Sequence, residues 1–353
     1  MSRKLLSYTA LGLILGNTAF ADVPKVAVDI APVHSLVSRV MEGVGTPKLV
    51  IPAGASPHGY SLRPSEAKAL QDADMVIWMG EDLAPWMEKS VETLSKGAEV
   101  ITLLEESETK LLDFREGALF EEHDHGDHDD HDEHDKDHDD HDHDKDHDDH
   151  DDHDDHDKDH DDHDHDKDHD DHDDHDDHDE HAHGEHDPHA WLSVENAQTW
   201  LNLVAGKLSA ADPENAGVYF SNAAEARAEI DALVEEVNSI LEPVRGRNFV
   251  VFHDAYQYFE TSFDFPAAGA ISLGDASDPS AARIAEIQGR VRNEGINCVL
   301  SEPQFNPNLV ETVLSGTDAK TGIIDPLGSN LEPGPKLYGD LIRNMAKSLA
   351  GCL

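Results

Sequence analysis

The chain has 353 residues, with 76 acidic against 26 basic side chains and a formal net charge of −50 at pH 7. That field repels nucleic acid and anionic membrane surfaces, which excludes a nucleic-acid role, and it attracts cations. The length allows two domains.

Residues 1–21 read as an export signal, with Arg3 and Lys4 ahead of the apolar run LLSYTALGLILG and an A-x-A cleavage pattern at Ala19-Phe20-Ala21. The run is shorter than the roughly 20 residues a membrane span needs, and no cysteine near the cut offers a lipid anchor. A soluble, monomeric mature chain starting at Asp22 is expected, most simply in the periplasm.

Short apolar strands then alternate with helices. KVAVDI (25–30) predicts a strand and Val33 to Glu42 a helix. KLVI (48–51) predicts a second strand, and the loop AGASPHGYSLRPS follows, with a helix from Pro64 to Leu70. Met75 to Met79 reads as strand, Leu83 to Thr93 as helix and Ile101 to Leu104 as a fourth strand. Each strand needs a helical crossover, so the pattern argues parallel α/β.

The pattern breaks between His123 and His186, where 22 of the 26 histidines lie among carboxylates. Residues 121–187 carry 38 Asp and Glu against four Lys, so 34 of the 50 net negative charges sit there. With no aromatic, no β-branched residue and no apolar period, this stretch cannot build a core and reads as a disordered loop. Imidazole and carboxylate both bind borderline divalent metals such as zinc. Ligands drawn in so many combinations predict multiple, exchangeable and weak sites. An acidic, solubilising spacer is the plainer alternative.

Beyond the loop, Ser193 is a predicted N-cap for a helix reaching about Ser209. Asp212-Pro213 starts another, with Asp as cap and Pro at the first helical position. Its apolar positions keep a helical period to Leu241, some 30 residues or roughly 45 Å, which suggests a strut between domains. The expected organisation is a first α/β domain over 22–211, a linking helix over 212–242 and a second α/β domain over 243–353. In the last, strands are predicted at Asn248 to Phe252, Cys298 to Leu300 and Gly322 to Ile324. Helices are predicted at Ala281 to Glu294, Pro307 to Leu314 and Gly339 to Ala350. Cys298 and Cys352 are the two cysteines. In an oxidising compartment a disulfide is favoured over two separate thiols, at about 4 kcal/mol in the chain-entropy model.

Outside the acidic stretch only His34, His58, His189 and His253 remain. The last three stand in loops or at strand ends, in SPHG, DPHA and FHDA, and Asp325 ends a strand in the same way. Three imidazoles and a carboxylate make a tetrahedral set suited to Zn²⁺, and loops at the ends of parallel strands face one opening. His34 reads as structural or as a partner of a ligand. An open fourth position would permit hydrolysis, with Glu302 as a conceivable base, although orienting an imidazole is the blander role. HExxH, GxSxG, Walker and Rossmann patterns are absent.

At these residues the sequence resembles the periplasmic zinc-binding proteins of ABC importers, a group of metal-specific solute-binding proteins with a rigid interdomain helix. The resemblance is carried by HGYSLRPSEAKAL, DPHAWLS, DPENAGVYFSN, VFHDAYQYF, SEPQF and IIDPLG, by the position of the His/Asp-rich insertion and by the cysteine pair. It implies His58, His189, His253 and Asp325 as metal ligands, Zn²⁺ as transported ligand, a membrane permease as partner and no enzymatic turnover. Manganese and iron relatives tend to carry glutamate where His253 stands, and a third imidazole favours zinc over the harder Mn²⁺. Pro57 departs from zinc members with an acidic residue there, which puts an extra carboxylate ligand in doubt. A manganese or iron carrier, a zinc buffer without a transporter and a metal-dependent hydrolase are the alternatives.

Overall fold

The computed structural model describes residues 22–115, 186–272, 280–304 and 307–353. The export signal read at 1–21, and the acidic segment apart from His186 and Asp187, lie outside these residues.

The predicted alternation folds as two four-stranded parallel sheets of like topology. In the first half, β1 (Val26–Val28), α1 (Ala31–Val40), β2 (Lys48–Leu49), α2 (Pro64–Gln71), β3 (Met75–Trp78), α3 (Pro85–Leu94) and β4 (Glu99–Thr102) give the strand order β2-β1-β3-β4. Two long helices follow, α4 (Val194–Ala211) and α5 (Ala216–Leu241). The second half contains β5 (Phe249–His253), α6 (Gln257–Phe263), β6 (Ala270–Ser272), α7 (Ala281–Asn293), β7 (Cys298–Ser301), α8 (Pro307–Leu314), β8 (Lys320–Ile323) and α9 (Leu337–Cys352). Its strand order is β6-β5-β7-β8.

Strands buried on both faces read as continuous apolar runs. On β5, Phe249 and Val251 join one apolar cluster while Val250 and Phe252 join another beside α7 and α8. The first sheet does the same. Val26 and Val28 face the cluster shared with α1, α4, α5 and α9, and Ala27 faces a smaller one with α2 and α3. Successive residues of a strand point to opposite faces, so each sheet separates two layers. The shared cluster runs from Val26 to Leu353 and contains residues of both halves.

Ser193 caps α4, its hydroxyl accepting from Asn196 N at 3.2 Å. Asp212 does not cap the next helix. Its Oδ2 accepts from the Tyr219 hydroxyl (2.8 Å) and Asn215 Nδ2 (2.7 Å), and a 3₁₀ turn over Pro213–Asn215 precedes the α-helix. The carboxylate serves a buried tyrosine instead. The helix proper is therefore 26 residues, about 39 Å. It packs against α1, α4 and α9. Two elements escaped the sequence reading, α6 and β6. Their seven and three residues are too few to establish a period.

Cys298, opening β7, is bonded to Cys352 at the end of α9. Gly322 on β8 lies under this bridge. A Cβ there would stand 2.8 Å from Leu300 Cδ2 and 3.2 Å from Cys352 Sγ, so only glycine fits without displacement.

Candidate metal centre

The strand ends carry the chemistry. His253 is the last residue of β5, and Glu302 follows β7, its neighbour in the sheet. The strand order reverses between β5 and β7, and open α/β sheets receive ligands at such a point. His58 comes from the loop after β2. Trp86 Nε1 donates to the carbonyl of Pro57 at 2.7 Å and holds that loop. His189 stands just before a 3₁₀ turn, Ala190–Leu192, leading into α4.

These three histidines converge. His58 Nε2 lies 3.3 Å and His253 Nε2 3.2 Å from His189 Nε2, and the potential ligand atoms of all three are within 4.8 Å of one another. Tetrahedral zinc with Zn–N bonds of about 2.0–2.1 Å separates its nitrogens by about 3.3 Å. Among the described residues this is the one group of three or more candidate donors so arranged. His189 and His253 are buried and His58 is half-buried.

Carboxylates fix the direction of two rings. His189 Nδ1 meets Asp187 Oδ1 at 2.7 Å, and His253 Nδ1 meets Glu302 Oε1 at 2.6 Å. A carboxylate accepts only, so the proton sits on Nδ1 and Nε2 is the nitrogen turned to the cluster as a potential cation donor. Asp187 Oδ1 also accepts from the backbone N of His189 at 2.9 Å. Both carboxylates are buried. Glu302 thus orients an imidazole. Asp187 was not singled out from the sequence, although its D-x-H spacing from His189 is the legible signal.

Asp325 does not join the group. It follows β8, on the same side of the sheet, but its carboxylate is held by its own loop. Oδ1 accepts from Leu327 N and Gly328 N (3.0 Å each) and from Ser329 Oγ (3.2 Å), and Oδ2 accepts from Ser329 N at 2.6 Å. Trp191 Nε1 ties the same loop to the His189 turn, donating to the Pro326 carbonyl at 2.8 Å. Trp191, Pro57, Pro326 and Leu327 are among the residues that wall the small pocket around the imidazoles, and apolar walls strengthen electrostatics inside it.

His34 lies elsewhere, within α1. Its Nε2 contacts the Pro47 carbonyl at 3.2 Å and its Nδ1 the Ser38 hydroxyl at 3.4 Å. Burial lowers its pKa below the usual 6.5, against a smaller upward pull from the Pro47 carbonyl. Asp29, at the end of β1, is pushed up to about 7 by burial, opposed by backbone N–H groups of Met79 and Ile30.

With this geometry in view, the family model for the periplasmic zinc-uptake complex component A, ZnuA, matches residues 26–352. The chain belongs to that family. It is 45% identical over 338 residues to the high-affinity zinc uptake system protein ZnuA of Brucella abortus, covering 96% of this chain and 94% of that one. A ZnuA crystal structure matches with a TM-score of 0.66 at 17% identity, over 94% of this chain and 99% of the other. A manganese-bound periplasmic metal-binding protein from Candidatus Liberibacter asiaticus matches at 0.64 and 20% identity, over 93% and 98%. At such identities the two structures share the fold alone, so the donor set has to argue for the metal. Among the described residues, no helix is long and apolar enough to cross a membrane.

Proposed function

We propose that this protein captures Zn²⁺ in the periplasm and delivers it to the permease of an ABC importer. The observation that carries this reading is the convergence of His58, His189 and His253, with Nε2 atoms 3.2 and 3.3 Å apart in successive pairs. Imidazole suits zinc better than manganese, which prefers oxygen donors. His58, His189 and His253 bind the ion directly, and Asp325, turning from its loop, gives the fourth donor. A set closed in this way carries a metal rather than activating water. The zinc uptake system of the Brucella relative supports the same cargo.

The test is a competitive titration of the exported chain and of the same chain lacking residues 123–183, with zinc and manganese run against a chelator. One tight zinc site in both forms, with weaker extra sites only in the longer one, is expected. Loss of the tight site on shortening would move the chemistry into the acidic segment and favour a metal buffer. Manganese bound as tightly as zinc would favour a manganese carrier. Asp325→Asn should weaken zinc binding and keep the fold, whereas unchanged affinity would leave the three imidazoles as the whole protein donor set.

A further inference from the structure

Two chain segments meet beside the imidazole cluster, and neither is a ligand. Lys110 N donates to Asn196 Oδ1 at 2.8 Å, and Leu112 N donates to the Tyr258 hydroxyl at 2.9 Å. That hydroxyl in turn donates to the Asp187 carbonyl at 3.0 Å, and Asp187 N donates to Leu112 O at 2.8 Å. Asp113 pairs with His186 in an antiparallel bridge. Residues 110–115 and 186–187 thus form one neck against α6, from which the acidic stretch departs and to which it returns.

Arg115 ends the first of these segments. Its Nε donates to Asp254 Oδ2 at 3.0 Å, and its Nη2 donates to Asp254 Oδ1. Nη1 donates to Glu260 Oε2 at 2.8 Å and Nη2 to Glu260 Oε1 at 3.1 Å. Asp254 directly follows His253, and Glu260 also accepts from Ala267 N at 3.0 Å. The two carboxylates are 5% and 6% exposed and the guanidinium side chain 16%. Only a planar fork serves two carboxylates at once in this manner; an ammonium is a point charge. A merely solubilising tether would need no such buried attachment to the turn after β5.

We infer that Arg115 is a positioning residue for the metal site: it locks the turn that carries His253 and couples that turn to the neck of the His/Asp-rich segment. This rests on the reading of His253 as a zinc ligand. Asp187 lies on the other strand of the same neck and orients His189, so two of the three imidazoles are aimed from one structure. Removal of Arg115 leaves two buried carboxylates uncompensated next to His253, and the imidazole loses its fixed bearing. Shortened forms of the segment keep the tight site only when the cut begins after Arg115.

The test compares the full exported chain with R115M, R115K and the triple variant R115M/D254N/E260Q. Three quantities are read: zinc affinity by chelator competition, the visible absorption of bound Co²⁺, and the urea midpoint of the metal-free protein. R115M should bind zinc about 10- to 100-fold more weakly, the range for partners that orient ligands, with an altered cobalt spectrum. R115K should not rescue it. The triple variant removes the uncompensated charges, so its urea midpoint should recover while affinity and spectrum stay impaired. Wild-type affinity and spectrum in R115M, or recovery of all three readouts in the triple variant, would overturn the inference. Absence of a tight zinc site in the unmodified chain would instead overturn the functional reading beneath it.

Discussion

Two of the clustered imidazoles have Nδ1 on a buried carboxylate, Asp187 for His189 and Glu302 for His253. That arrangement makes the cluster a set of aimed lone pairs. His189→Ala or His253→Ala should abolish tight zinc binding in a chelator competition. Glu302→Leu should keep the ligand His253 but lose the acceptor that fixes its ring, at about 10- to 100-fold in affinity. Wild-type affinity in Glu302→Leu would show that packing alone holds the ring. Zinc needs neutral imidazole, so acidification must weaken binding. His34 gives a separate, metal-free pH effect. Its folded-state pKa is depressed by burial, so the unfolded chain takes up a proton there first. Its contribution to stability is present above the usual value of 6.5 and is lost as pH falls below it. Asp29, raised to about 7, acts in the opposite sense and is common to both proteins, so between pH 7.5 and 5 the urea midpoint of the metal-free protein should fall relative to that of His34→Gln.

At the scale of elements, strands buried on both faces bring their carboxyl ends, and the loops after them, to one opening. The disulfide sits at the other end of the second sheet, joining the start of β7 to the end of α9. Stability and binding should therefore separate. Replacing both cysteines with alanine should cost up to about 4 kcal/mol, the chain-entropy figure for a loop of this length. Zinc affinity should survive, because Glu302 lies beyond the opposite end of β7. A large loss of affinity without unfolding would show that α9 positions the site.

For the molecule as a whole, donors come from both halves: His58 and His189 precede the long helix α5, and His253 follows it. A ligand that binds only the folded chain stabilises it by RT ln(1 + [L]/Kd), about 4 kcal/mol at a thousandfold excess over Kd. Zinc should therefore raise the unfolding midpoint of the chain shortened by residues 123–183 and that of the full chain alike. A rise confined to the full chain would place the stabilising site in the acidic segment. The shared apolar cluster, reaching both sheets through α1, α4, α5 and α9, gives such binding a single cooperative body to act on.

Much of this was written in the sequence. Apolar runs of strand length alternating with helical periods specify parallel α/β, because strands buried on both faces must be apolar throughout. Histidines beside turn residues, in loops or at strand ends, mark candidate donors that the fold does bring together, because strand ends of parallel sheets share one side. What no pattern carries is distance. Only the tertiary structure brings Nε2 of His58, from one loop, within 3.3 Å of His189, which lies 131 residues away in the chain. It also turns the Asp325 carboxylate onto its own loop, because four donors there outnumber what a strand end predicts. Asp187 and Arg115 belong to the same class. Their roles depend on partners supplied by folding, and a carboxylate or guanidinium in a sequence does not say which group it will meet.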